Sequence, residues 1–196
     1  MKISIMMGSP RKRGNTAQCL VPFCNEWQRL GGTYTLTWLY DQQIAPCRAC
    51  RGCQQDWSSF SCVIHDGMDA VAADIMDSDI VLLATPIYSW YCTAPMKAML
   101  DRLVYGLNKF YGDQRGPSLW EGKRMAVFTT CGYRPEHGTD LFEEGIRRYC
   151  RHSGLHYAGI FSERHLGYNT VFMDEKKAAH AKRFARLLAG ESLRMV

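Results

Sequence analysis

The chain has 196 residues, of which 46% are hydrophobic and 22% charged. That length suits one domain with a substantial core, and that composition excludes a disordered chain. The formal charge of +5 comes from dispersed basic residues, with only Arg11-Lys12-Arg13 tightly clustered, so a nucleic-acid-binding stripe is not expected, whereas attraction of an anionic cofactor is.

No apolar run is long enough to span a bilayer, so no membrane partner is expected. The opening stretch from Lys2 to Met7 is too short for the hydrophobic core of a signal peptide. The chain is therefore expected in the cytoplasm. Nine cysteines in a reducing compartment argue for metal or redox chemistry, or plain burial, before structural disulfides.

Short apolar runs alternate with longer amphipathic stretches, the pattern of a parallel sheet wrapped by helices. Lys2 to Met7 reads as a buried first strand. Asn15 or Thr16 then caps a helix whose apolar face is Ala17, Leu20, Val21, Cys24, Trp27 and Leu30. Pro22 lies inside it and is expected to kink or shorten it, and Gly31-Gly32 ends it. Tyr34 to Tyr40 reads as a strand, followed by a cysteine-bearing loop from about Asp41 to Asp66. Asp66 caps a helix carrying Met68, Val71, Ala72, Ile75 and Met76. Asp79 to Thr85 is the clearest buried strand, and it runs into Pro86-Ile87-Tyr88-Ser89-Trp90.

Thr93 caps the next helix, with Pro95 in its first turn and Met96, Met99, Leu100, Leu103, Val104 and Leu107 along its face. An aromatic, glycine-bearing connection follows, in which Asn108 to Trp120 is expected to cover a cofactor or form a subunit contact. Lys123 to Thr130 is a strand ending at Cys131-Gly132-Tyr133. A helix over about Thr139 to Ser153, a strand over Leu155 to Ser162 and a helix from Asp174 complete the chain. About five strands and five helices result, the content of a flavodoxin-like, doubly wound, five-stranded parallel sheet with helices on both faces, formed as a single domain over residues 1–196.

The first strand enters Gly8-Ser9-Pro10-Arg11-Lys12-Arg13-Gly14-Asn15-Thr16 and then a helix. That turn lies where the strand order of such a sheet reverses. A helix N-terminus offers unpaired N–H groups and partial positive charge, so the turn is read as a phosphate site, the alternative being a polar turn with an N-cap. Two chemistries are excluded by missing residues. A phosphatase of this topology needs a nucleophilic cysteine at the head of the loop, where Met7-Gly8-Ser9 stands. A phospho-acceptor domain needs carboxylates at the ends of the first and third strands, which carry Met6-Met7 and Ala84-Thr85.

Gly-Ser-Pro-Arg-x-x-Gly-Asn-Thr at 8–16 and Thr-Pro-Ile-Tyr at 85–88, followed by Met96-Lys97 and Asp101-Arg102, resemble the NAD(P)H-dependent FMN reductase and flavodoxin-like superfamily. The resemblance implies that Ser9, Arg11, Asn15 and Thr16 hold an FMN phosphate. It implies that Pro86, Ile87, Tyr88 and Ser89 line one side of the isoalloxazine ring, with Trp90 close by. Thr130, Cys131 and Gly132 would form a third loop near the pyrimidine edge, where backbone donors stabilise negative charge. No catalytic side chain is required, because flavin carries the hydride and electron chemistry and the protein supplies position and electrostatics.

Cys47-x-x-Cys50-x-x-Cys53, then Cys62, places three thiols in one loop with a fourth beyond. Such a set can ligate a [4Fe–4S] cluster or zinc, or remain as reduced thiols or a disulfide. Arg48 and Arg51 would balance part of a cluster's charge. The pattern resembles the compact cysteine motif of the archaeal and bacterial iron–sulfur flavoproteins, with one departure: eight residues separate Cys53 from Cys62, more than is usual there. Cys19, Cys24 and Cys150 are expected in the core, and Cys92 precedes a helix N-terminus, a position that can activate a thiol. The six histidines show no metal-ligand spacing.

The function expected from this reading is FMN-dependent electron transfer from NAD(P)H or a protein donor to a quinone, flavin or other acceptor. The alternatives are an iron–sulfur flavoprotein acting between redox proteins, and a redox-responsive binding protein. The resemblance also implies a homo-dimer or tetramer.

Overall fold

The computed structural model describes residues 1–167 and 170–190. Five strands form one all-parallel sheet: β1 (Lys2–Met7), β2 (Thr33–Trp38), β3 (Ile80–Pro86), β4 (Arg124–Cys131) and β5 (His156–Arg164), in the order β2-β1-β3-β4-β5. β1 and β3 are neighbours, with Ile3 opposite Ile80 and Met7 opposite Ala84. Chain order therefore reverses between them, and the loops leaving their C-terminal ends diverge and open a crevice.

Alternation along the central strands sorts the core into two layers. Ile3, Ile5, Met7, Ile80, Leu82, Ala84, Ala126 and Phe128 face α1 (Asn15–Arg29) and a C-terminal helix over Glu175–Ala189. Met6, Val81, Leu83, Met125 and Val127 face α2 (Met68–Met76), α3 (Ala94–Leu107) and a long helix over Asp140–Ser153. A four-residue α4 (Pro135–Gly138) precedes that long helix, α5, and the C-terminal helix is α6. Strands buried on both faces need continuous apolar runs, which explains why Ile80 to Ala84 are fully buried without a polar break. The expected doubly wound architecture is observed.

Several boundaries and faces differ from expectation. The buried face of α1 is Cys19, Leu20, Phe23, Cys24 and Trp27, while Val21 is exposed. Phe23 meets Phe128 edge-on at 5.5 Å, and this ring contact sets which side of the helix turns inward. Pro22 does not end α1, which continues to Arg29. Gly14 holds the N-cap position and Asn15 is the first helical residue; the Thr16 hydroxyl is engaged elsewhere, 2.8 Å from that of Thr130. Thr93 does sit at the N-cap of α3, but no side chain caps that helix, because its hydroxyl donates to Gly8 O at 2.7 Å. Asp66 lies one residue before the Gly67 cap of α2 and still accepts from Met68 N at 2.9 Å. Asp174 caps α6 as expected, accepting from Lys177 N.

β4 and β5 pair with a shift between Met125 and Val127. Gly159, at φ +112°, lies in this bulge, a conformation open to glycine alone at little cost. Beyond the bulge Phe128 and Phe161 stack at 4.1 Å. Among the described residues no helix is long and apolar enough to cross a membrane.

Candidate functional site

The loop after β1 is tied down on both sides. Gly8 N donates to Ala84 O at 2.7 Å, extending the β1–β3 ladder by one residue. A Cβ on Gly8 would lie 2.8 Å from Thr93 Oγ1 and 3.1 Å from Thr85 Oγ1, so this approach of loop to α3 requires glycine. Farther on, Arg11 N donates to the buried Ser9 Oγ at 3.2 Å and Gly14 N to Arg11 O at 3.0 Å. The loop thus folds back on itself just before α1. No side chain caps α1, so its first-turn N–H groups face the crevice with no side-chain acceptor, the arrangement that binds anions at helix ends.

The basic cluster divides here. Arg11 lines the crevice. Lys12 turns away, pairing with Asp41 and lying 4.2 Å from the centre of the Trp38 ring.

The loop after β3 begins as a continuation of the sheet, with Ile87 N donating to Thr130 O at 2.9 Å. Tyr88 and Tyr91 then exchange two backbone hydrogen bonds of 2.9 and 3.0 Å. Between them Ser89 and Trp90 have φ of +49° and +63°. Two successive left-handed residues make a tight hairpin turn, a conformation that ordinarily selects glycine or asparagine. The turn lifts Trp90 out of the crevice and stacks it on Tyr133, at 5.5 Å between centroids and 14° between planes.

Together these loops enclose a cavity of about 270 Å³ lined by Ser9, Arg11, Gly14, Asn15, Thr16, Pro86, Ile87, Tyr88, Thr130, Cys131, Gly132 and His165. Ten residues expected from the sequence meet there. Ser89 and Trp90 do not line it, because the left-handed turn carries them to the outer rim. His165 is an addition, brought in as its N–H donates to Cys131 O at 2.7 Å beyond the end of β5. Only the adjacency of β4 and β5 places it, and no spacing in the sequence signals that. Arg164 Nε donates to Gly132 O at 3.2 Å and steadies the third loop. Burial raises the Cys131 thiol above its ordinary value, so it stands as a neutral wall group. No Asp or Glu lines the cavity, and an anionic ligand meets no like charge.

The second grouping is the cysteine segment. Cys47, Cys50, Cys53 and Cys62 line one recess of about 20 Å³, together with Arg102 and Tyr105 of α3, room for about one water. Arg102 is buried; Nη1 reaches Asp66 Oδ2 at 2.6 Å, and Nη2 reaches Ile64 O at 2.5 Å and Cys62 Sγ at 3.3 Å. Burial tends to raise the Asp66 carboxyl, yet the Arg102 hydrogen bond and the amides of Ala45 and Met68 hold it below the usual range. Ala49 N donates to Cys47 Sγ at 3.4 Å, and the Cys53 thiol donates to Tyr105 O at 3.2 Å.

The connection from Asn108 to Trp120, expected over a cofactor or at a subunit contact, does not line the larger cavity, and its two ends pack beneath the cysteine segment while residues 112 to 115 are exposed. Lys109 is fully buried; its Nζ donates to Cys53 O at 2.8 Å, Ser59 O at 2.9 Å and Ser61 Oγ at 3.2 Å. Asn108 Oδ1 accepts from Trp120 Nε1 at 2.8 Å. None of these residues lines the larger cavity.

Among the described residues, no three His, Cys, Asp or Glu side chains are grouped closely enough to hold a single metal ion. Four sulfurs around one zinc would stand about 3.8 Å apart, from Zn–S bonds of about 2.3 Å. A four-iron cluster spreads its ligands farther, each sulfur on its own iron. Four thiols surround the recess, and an amide N–H and a guanidinium reach the sulfurs, a donor set of the kind that ligates an iron–sulfur cluster, although with room for about one water the recess must widen to take one. Cys92, considered for reactivity, is buried, and desolvation pushes its thiol up to about 12.

A family model described as NADPH-dependent FMN reductase matches residues 1–143. An iron-sulfur flavoprotein of Methanosarcina thermophila is 32% identical over 53% of this chain and 53% of its own length. One from Archaeoglobus fulgidus is 34% identical over 54% and 47%. The chain thus spans about half the length of the curated relatives it matches. An NAD(P)H:quinone oxidoreductase of Methanothermobacter marburgensis superposes with a TM-score of 0.67 at 19% identity, covering 99% of each chain; at that identity the likeness concerns the fold, which is flavodoxin-like.

Proposed function

The chain belongs to the NADPH-dependent FMN reductase family, and on that premise we propose that it is an FMN-dependent oxidoreductase. It takes electrons from NAD(P)H or a protein donor and delivers them to a quinone, a flavin or another acceptor. One observation carries this reading: a cavity free of acidic groups lies at the reversal of strand order, against the uncapped N-terminus of α1 and the side chain of Arg11.

FMN, when bound, supplies the hydride and electron chemistry. The chain supplies binding and orientation. Ser9, Arg11, Asn15 and Thr16 hold the phosphate by charge and by hydrogen bonds. Pro86, Ile87 and Tyr88 bound one side of the ring, and Ser89 and Trp90 form an outer rim. Thr130, Cys131 and Gly132 present the third loop to the pyrimidine edge, with His165 beside it. The whole forms one domain that acts in the cytoplasm as a homo-dimer or tetramer.

The test is a titration of flavin-free protein with FMN and with riboflavin. Binding of FMN at about one per chain, with riboflavin bound much more weakly, is expected, followed by oxidation of NADH or NADPH with a quinone present. Protein that takes up no FMN overturns the reading.

A second reading is favoured by the four cysteines around one recess: Cys47, Cys50, Cys53 and Cys62 hold a [4Fe–4S] cluster, and the protein passes electrons between redox partners. A cluster there supplies one-electron transfer. The chain's part is to keep four thiols on one recess, with Cys53 buried at its inner side and Cys50 at its exposed side. Anaerobically purified protein with no iron or acid-labile sulfide, before or after reconstitution, overturns this second reading and leaves the first intact.

A further inference from the structure

One buried cation, Arg102, lines the cysteine recess, a second, Lys109, reaches the Cys53 carbonyl behind it, and only the first has an anion as partner. Arg102 is paired with Asp66. Lys109 contacts two backbone carbonyls and one hydroxyl, and among the described residues no carboxylate pairs with it. Asp56, the acid toward which it is drawn, is partly exposed and spends its oxygens on Ser58 and Ser59, at 2.6 and 2.9 Å. An isolated buried charge is costly, and one without an anionic partner is a standing imbalance. Arg102 adds a second anomaly: its Nε is buried with no hydrogen-bond partner. Both cations reach the cysteine segment, Arg102 at the Cys62 sulfur and Lys109 at the Cys53 carbonyl.

Resting on the second reading above, we propose that Arg102 and Lys109 are a buried cation pair that positions Cys62 and Cys53 and compensates the negative charge of the cluster those cysteines hold. Four thiolates on a four-iron core carry net negative charge, and it grows by one unit when the cluster takes one electron from its donor; no bond breaks and no proton moves. Nearby buried cations stabilise the reduced form more than the oxidised form, and so raise the reduction potential. Asp66 acts in the opposite sense, by cancelling part of the Arg102 charge.

The experiment is a potentiometric titration of the full chain, purified anaerobically, with the reduced cluster followed by electron paramagnetic resonance and with iron, sulfide and FMN counted per chain. Arg102→Gln and Lys109→Gln are each expected to raise the oxidised-to-reduced ratio at fixed potential about tenfold, equivalent to about 59 mV for one electron. Asp66→Asn is expected to lower that ratio, and Arg102→Lys to stay near the parent protein. A purely structural role would not give opposite signs for Arg102 and Asp66. Where Arg102→Gln fails to fold, Lys109→Gln and Asp66→Asn carry the test. Potentials that do not move, or that move in one direction for every variant, in proteins with full iron overturn the inference alone. A parent protein with no iron overturns the cluster reading, and this inference with it.

Discussion

Trp90 and Tyr133 lie face to face at the rim of the cavity, 5.5 Å apart and 14° from parallel, and they join the loop after β3 to the loop after β4. Both rings are about half exposed, at 45% and 59%. The contact holds Trp90 at a positive φ that its side chain disfavours. Tyr133→Ala is expected to remove about 0.5–1.5 kcal/mol of ring–ring attraction and to leave the Ser89-Trp90 turn less constrained. Thermal unfolding with and without FMN checks this: a larger loss in the FMN-loaded protein is expected, and an equal loss in both would show that the rim does not bear on the ligand.

Thr16 and Thr130 share one hydroxyl–hydroxyl bond of 2.8 Å across the cavity floor, linking the start of α1 to the end of β4. Thr16→Val preserves the shape and removes the bond. About 1 kcal/mol of interaction is lost, so FMN affinity is expected to fall about fivefold. Isothermal calorimetry with FMN measures it, and an unchanged affinity would mean that the two loops hold their positions without this bond.

Glu26 joins α1 to α6. It accepts from Arg29 Nη2 at 2.8 Å and from Arg186 Nε at 2.6 Å. The Arg29 hydrogen bond first, and Arg186 with it, bring its carboxyl down to about 2 against the pull of burial. A carboxyl depressed in the folded state stabilises it above the ordinary carboxylate value of about 4.3. That stabilisation is lost as the pH falls from there toward about 2. Melting temperatures followed down through this window should fall less steeply for Glu26→Gln than for the parent; parallel curves would show that Glu26 does not govern acid sensitivity.

Burial divides the thiols. Desolvation holds Cys19, Cys24, Cys92 and Cys150 each at about 12, whereas Cys50 is exposed. Alkylation of cluster-free native protein by iodoacetamide near about pH 8, close to the ordinary thiol value of about 8.5, should label Cys50 and spare those four until denaturant is added. Mass spectrometry of the peptides reads the result, and early labelling of Cys92 would contradict its burial.

The strands were readable because a parallel sheet covered on both faces demands unbroken apolar runs, and Ile80 to Ala84 supply one. The loop at 8–16 was readable because its glycines and small polar residues stand between a strand and a helix. What escaped depends on contacts between distant parts of the chain. A turn at Ser89-Trp90 without glycine carries no local signal. Nothing in the sequence marks Arg102 and Lys109 as buried, and the fold alone encloses them. Val21 fits a helical apolar stripe, yet the ring of Phe23 takes the inward position. His165 reaches the cavity through strand adjacency alone.

Lys109 also changes how the distance between Cys53 and Cys62 is to be understood. The ammonium binds Cys53 O at one end of the intervening stretch, and Ser59 O and Ser61 Oγ near the other, so this stretch closes into a ring around a single charge, as a crown ether closes around a cation. The span between the two cysteines is then governed by the ring's anchor points, and the count of residues between them becomes secondary. Residues 55 to 58 lie between those anchors, so a change in their number would alter the arc of the ring before it altered the two anchored ends. Relatives with shorter or longer spacers would remain equivalent at this site wherever a buried ammonium replaces the missing covalent constraint.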